Sequence, residues 1–143
     1  FKNSVGIHLR SHGYKNPVID SQFNADKEYY SKSIEYIKQR IQDPHFYIFS
    51  DDRTNIKEFI NLFDISYTLV KNKDSYKDPI IDFFLLSNCK YFIIAASTFS
   101  WWAAWLSKNK DKIVISPNVI QTKMNKTSAW GFKGLIPKEW IVI

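Results

Sequence analysis

Apolar and polar positions along the chain fall into blocks that switch between a strand period and a helix period. The run SVGIHLR (4–10) is short and β-branched at its core, which predicts a strand ending at Arg10. The stretch 11–25 carries Gly13, Asn16, Pro17 and Asn24 and reads as a long loop. From Asp26, a capping residue type, Tyr30, Ile34, Ile37 and Ile41 recur at helical spacing and predict a helix over 27–42. Pro44 closes that region, and HFYIFS (45–50) predicts a second strand. Asp52 is placed to cap a short helix over 53–63, after which SYTLV (66–70) predicts a third strand. Past the polar loop 71–77, Asp78 and Pro79 form a cap followed by a first-turn proline. The segment PIIDFFLLSNC (79–89) is apolar on nearly every side and predicts a buried helix. YFIIAA (91–96) predicts a fourth strand, Ser97 a cap, TFSWWAAWLS (98–107) a helix, and KIVIS (112–116) a fifth strand. The remainder, 117–143, reads as an irregular tail with Trp130, Trp140 and a last short apolar segment.

Five strands alternating with helices predict an α/β fold: an open parallel sheet with helices on both faces. Such sheets bind ligands beyond the carboxyl ends of their strands, where the strand order reverses. Arg10 ends the first predicted strand, Ser50 and Asp51 end the second, and Ser97 to Ser100 follow the fourth. Topology alone therefore points to these residues as one site.

Composition narrows the setting. At 143 residues without an internal repeat the chain predicts a single domain, and 45% hydrophobic with 17% aromatic residues excludes a disordered one. No apolar run reaches the roughly 20 residues of a spanning helix. The single cysteine, Cys89, rules out an intramolecular disulfide and sits in apolar surroundings that favour a buried structural thiol. The absence of disulfides suits a cytoplasmic location. Twenty Lys and Arg against fourteen Asp and Glu leave a charge of +6, which suits an anionic ligand, an anionic membrane face or nucleic acid without choosing among them. The chain starts at Phe1, with no methionine or signal pattern, almost directly in a strand; this predicts the C-terminal piece of a longer protein.

Each candidate residue carries a functional and a structural reading. Arg10 shares a strand face with His8 and offers a planar, always charged fork for phosphate oxygens; it could equally be a surface arginine over a hydrogen-bonded core histidine. Ser50, Asp51 and Asp52 end the second strand, where the carboxylates could hold a metal or a sugar hydroxyl, or simply cap the helix that follows. Asp82 is a carboxylate in an otherwise apolar helix, placed either on its wet stripe or to accept paired N–H donors such as a guanine edge offers. Ser97, Thr98 and Ser100 open a helix whose first N–H groups and partial positive charge make an anion cradle; they could instead serve only their own helix, with Trp101, Trp102 and Trp105 as packing. No metal-ligand spacing, Walker loop, G-x-G-x-x-G or G-x-S-x-G elbow is present. Nor do the aromatics interleave with Arg and Lys as on a single-stranded nucleic-acid platform.

VGIHLRSHGY (5–14), FYIFSDD (46–52), DFFLLSNCKYFIIAASTFSWWAAWLS (82–107) and KIVISP (112–117) stand in an order and spacing that resembles the α-1,2-fucosyltransferases. These are inverting enzymes that transfer fucose from GDP-fucose to a galactose hydroxyl. The third block is the most specific of the four. The resemblance implies the C-terminal, donor-binding half of a two-domain GT-B-like glycosyltransferase built of Rossmann-like halves, with the acceptor-side domain mostly outside this chain. It implies that Arg10 binds the diphosphate and stabilises leaving GDP, supported by His8. By the same resemblance Asp82 reads guanine, Ser97, Thr98 and Ser100 hold the phosphates, and Ser50 with Asp51 lines the nucleotide pocket. It also implies no cofactor and no metal, since arginine and helix-start donors take the developing charge. The implied partners are GDP-fucose and a galactose-containing acceptor glycan, with peripheral contact to an anionic membrane face and no nucleic acid.

One departure from the family matters. Where the family pattern reads H-x-R-R-G-D-Y, this chain reads His8-Leu9-Arg10-Ser11-His12-Gly13-Tyr14, without the second arginine and the aspartate. His12 and, more weakly, Asp20 are the remaining base candidates on that loop. The alternative to a transferase is accordingly a GDP-sugar-binding domain impaired in catalysis. A basic nucleic-acid-binding domain is a distant third, resting on charge alone.

Overall fold

The computed structural model describes residues 2–10, 25–51, 56–70, 79–118 and 134–143. In chain order these form β1 (Ser4–Leu9), α1 (Lys27–Lys38), β2 (His45–Ser50), α2 (Ile56–Ile60), β3 (Tyr67–Leu69), α3 (Pro79–Ser87), β4 (Tyr91–Ile93), α4 (Thr98–Leu106), β5 (Val114–Ser116) and β6 (Ile141–Val142). All strand pairs are parallel, in the order β3-β2-β1-β4-β5-β6. This is the Rossmann-like order, with its reversal between β1 and β4. The α/β sheet expected from the sequence is thus the one the chain forms.

Strand alternation divides the core in two. Val5, Ile7 and Leu9 of β1, with Ile48 and Ile93, face α1 and α2 and pack on Tyr30, Ile34, Ile37 and Ile60. On the other face Phe49, Phe92 and Val114 meet Leu86 of α3 and Ala103 and Ala104 of α4. Position 6 faces this second side as a glycine. A Cβ there would lie 2.5 Å from Leu86 Cδ1 and 3.2 Å from Cys89 Sγ, so the missing side chain lets α3 seat directly on β1. Cys89 is buried in that seat, which pushes its thiol pKa up to about 12 and makes it the structural thiol expected.

Two polar devices tie the layers together. The Tyr29 hydroxyl lies 2.7 Å from Ile94 O and 2.9 Å from Ile115 O, so α1 is pinned to the residue that follows β4 and to the middle of β5. Lys112 Nζ donates to the carbonyls of Ala104, Trp105 and Ser107 at 2.7, 3.1 and 3.0 Å. Its three N–H donors thereby satisfy orphan carbonyls at the end of α4 and complement the negative end of the helix dipole.

Several sequence expectations are corrected. Helix α1 is capped by Asp26, which accepts from Tyr29 N, but it ends at Lys38 instead of 42. The cause is the turn to β2, in which Asp43 takes a left-handed φ of 48° before Pro44. The tail is not wholly irregular: Ile141–Val142 adds a sixth strand beside β5. Helix α3 is not a buried helix. Leu86 alone is buried on it, while Ile80 and Phe84 are 72% and 64% exposed. The proposed caps Asp52 and Asp78 lie outside the described residues.

The seat at Gly6 is directly testable. Gly6→Ala must displace the fully buried Leu86, and overpacking of this kind costs about 1–3 kcal/mol. Chemical denaturation should show a lower midpoint at an unchanged slope; a midpoint equal to the parent's would mean the seat has slack.

Candidate functional site

The carboxyl ends of β1, β2 and β4 lie side by side. The parallel register sets His8 opposite Phe49 and Leu9 opposite Ser50, so the next residues, Arg10 and Asp51, leave the sheet together. Arg10 Nη1 pairs with Asp51 Oδ2 at 3.2 Å, with both side chains still partly open to solvent. Asp51 therefore acts on Arg10 itself, a role the helix-capping alternative did not include. Ser50, at the end of β2, is half-buried beside this pair.

His8 lies one turn of the strand pleat deeper and points to the α3/α4 side, as Gly6 does. It is 4% exposed, and its Nδ1 makes no hydrogen bond to a described residue. Its backbone carbonyl accepts the Tyr30 hydroxyl at 2.9 Å, which holds the strand end from the opposite face. The Phe99 ring covers the imidazole, centroids 5.3 Å apart and tilted 38°, and Phe83 meets Phe99 edge-on at 5.5 Å. Burial holds the His8 pKa down to about 4; Asp51 opposes that shift and Arg10 adds to it. His8 is thus a neutral imidazole at working pH, and the positive charge of the site resides on Arg10.

The start of α4 supplies the opposite wall. Ser97 occupies the N-cap position with extended backbone (φ −145°, ψ 131°), yet its side chain makes no capping bond. Trp101 N–H donates to Ser97 O and closes the first turn, so the N–H groups of Thr98, Phe99 and Ser100 precede the helix's own ladder. Ser100 differs from its neighbours. It is fully buried, with its hydroxyl 3.4 Å from Ala95 O and 3.3 Å from Ser97 O, so that side chain faces the fold interior. Ser97 is itself buried, and Thr98 carries the exposed hydroxyl at the helix opening.

Asp82 lies in the first turn of α3, at the same end of the sheet, with its Oδ1 buried. The adjacent Phe83 links it through Phe99 to His8. His12 and Asp20 lie outside the described residues. The tryptophans divide: Trp101 stacks on Trp105 at 5.3 Å, tilts against Trp140 at 5.5 Å and donates its Nε1–H to Leu135 O at 3.1 Å, whereas Trp102 and Trp105 are about half exposed.

Sequence reasoning missed Phe99, Phe83 and Tyr30. Period-two alternation after Gly6 was the available signal, since it turns His8 toward the layer that carries Phe99. The depressed His8 pKa has a measurable sign. Between pH 6.5 and about 4 the unfolded histidine binds a proton that the folded one refuses, so stability rises with pH through that window, by on the order of 3 kcal/mol. His8→Phe should lack this part of the stability–pH profile in denaturation series; superimposable profiles would mean that His8 is not the group responsible.

The geometry can be compared with known proteins. The glycosyl transferase family 11 model matches residues 1–143. "O-antigen biosynthesis glycosyltransferase WbnK" of Escherichia coli is 39% identical over 119 residues, covering 80% of this chain and 38% of the relative. "Alpha-1,2-colitosyltransferase" of Escherichia coli is 36% identical over 118 residues, covering 80% and 40%. "Galactoside alpha-(1,2)-fucosyltransferase 2" of Bos taurus is 30% identical over 107 residues, covering 72% and 30%. The chain thus spans about two fifths of the length of the two bacterial relatives. The family match over the whole chain agrees with the fucosyltransferase-like blocks: the chain belongs to glycosyl transferase family 11.

Proposed function

We propose that this chain binds a guanosine-diphosphate sugar and serves the transfer of fucose to a galactose hydroxyl, in α-1,2 linkage and with inversion. The observation that carries the reading is the pairing of one charged arginine with an open helix start across the sheet's switch point. Arg10 ends β1, while the first N–H groups of α4 follow β4, its neighbour in the sheet. In this reading the diphosphate lies between them. The acceptor oxygen attacks the anomeric carbon in line, and the bond from that carbon to the diphosphate oxygen breaks with its electron pair going to GDP. Arg10, the α4 N–H groups, Ser97 and Thr98 take the developing negative charge. A neutral, buried His8 packs beside Arg10 without competing for the phosphate. The acceptor's proton goes to a base on the loop after β1, with His12 and Asp20 as candidates. No metal is assigned to the step, and transfer is expected to persist in EDTA.

Asp82 is assigned to the guanine edge, because a buried carboxylate oxygen at the start of α3 suits two adjacent N–H donors. The relatives' names support the sugar only broadly. One is named as a fucosyltransferase and a more similar one as a colitosyltransferase, so a second reading keeps the site and exchanges fucose for colitose, a deoxy relative of fucose.

Calorimetric titration with GDP, UDP, GDP-fucose and GDP-colitose is the decisive measurement. The protein should prefer GDP to UDP, and Asp82→Ala should erase that preference; equal affinities in the parent would remove the guanine role. Tighter binding of GDP-colitose would select the second reading. In the transfer assay Arg10→Ala should lower turnover about 100- to 1000-fold, as expected for loss of a leaving-group donor. Parent-like turnover would refute the assignment of Arg10, and GDP binding with no transfer to any galactoside would indicate a binding domain.

A further inference from the structure

What stabilises a leaving group also holds it once it has left. In the proposed transfer the diphosphate gains a negative charge as its bond to the anomeric carbon breaks, and GDP keeps that charge. Arg10 and the N–H groups that open α4 would then grip the product more firmly than the donor. Turnover in such a site is readily limited by product release.

Asp51 follows β2 in the position that Arg10 holds after β1, because the register pairs Leu9 with Ser50. Its Oδ2 lies 3.2 Å from Arg10 Nη1. Two neighbouring strands impose this contact. Asp51 is also not the cap of the helix that follows, since α2 starts only at Ile56. The Arg10 and Asp51 side chains are 36% and 20% exposed. A pair this open is broken at small cost, for exposed ion pairs shift an equilibrium by a factor of about 1.5 to 5. It is strong enough to compete with a bound phosphate and weak enough to yield to one. Burial lowers the His8 pKa, which the Asp51 charge opposes; burial raises that of Tyr30, with Asp26 and Asp51 adding to the rise. Both side chains are therefore neutral at working pH, and of these neighbours only Arg10 offers Asp51 a counter-charge.

We propose that Asp51 is a positioning residue for Arg10 that sets the release of the GDP product: its carboxylate reclaims the guanidinium as the nucleotide leaves. The inference rests on the nucleotide-sugar reading and adds to it a determinant of product departure. Asp51→Asn keeps the size of the side chain and removes its charge. Calorimetry should show GDP bound about two- to fivefold more tightly by this variant, and stopped-flow displacement a dissociation slowed by a similar factor. In the transfer assay added GDP should inhibit the variant at correspondingly lower concentration. Inorganic pyrophosphate should gain affinity as GDP does, whereas guanosine, which has no phosphate, should bind parent and variant equally. Asp51→Glu, which returns a carboxylate, should restore parent-like affinity, and the melting temperature confirms folding of each variant. In an Arg10→Ala background most of the gain from Asp51→Asn should vanish. Unchanged or weaker GDP binding by Asp51→Asn, an equal gain for guanosine, or the full gain without Arg10 would overturn the proposal. A parent that binds GDP and pyrophosphate while Asp51→Asn changes neither removes this proposal alone. A parent that binds neither removes the nucleotide-sugar reading and this proposal with it.

Discussion

One side of this fold depends on a side chain that is not there. Because position 6 of the central strand is glycine, Leu86 and Cys89 descend onto β1, and α3 lies closer to the sheet than a Cβ would permit. Helix α4 then packs beside α3 through Phe99 on Phe83, and Phe99 closes over His8. The depth of one helix is thereby converted into the wall of a site several residues away. A parallel sheet needs both faces covered, and on this face the cover is fixed at a single close contact.

The opposite side is fixed by polar groups. Tyr29 and Tyr30, adjacent on α1, direct their hydroxyls to carbonyls of three neighbouring strand segments: Tyr30 to His8, Tyr29 to Ile94 and Ile115. Burial drives both phenol pKa values upward, so the hydroxyls stay protonated and remain donors. The strand ends that carry the candidate site are held from beneath by α1 and roofed from above by α3 and α4. Arg10 and the start of α4 thereby stand at the ends of the neighbouring strands β1 and β4.

Much of this arrangement was legible in the residues. Short β-branched runs located five strands, and the hydroxyl cluster after β4 with Arg10 after β1 identified the ends that the sheet brings together. The sixth strand was not legible, because two residues of Ile141–Val142 carry no period. The exposure of α3 was not either: an apolar helix in sequence reads the same whether its outer face meets protein core or another phase. Ser100 shows the limit at a single position. Its hydroxyl reads like that of Thr98 in sequence, and only the rotation of the helix turns one inward and leaves the other exposed. The Arg10–Asp51 pair needed the register of β1 against β2, which composition does not contain.

That pair alters what an arriving anion encounters. With Asp51 3.2 Å away, the guanidinium already has a counter-charge, so an anion approaching Arg10 would not meet a bare cation. In the proposed reading it would meet an occupied one, and seating the phosphate would be an exchange of partners at Arg10. Affinity is then the difference between two ion pairs instead of the strength of one. On the proposed function, selectivity would follow from that difference: a weakly charged anion would gain too little to displace the aspartate, whereas a diphosphate bonded also by the helix start would gain more.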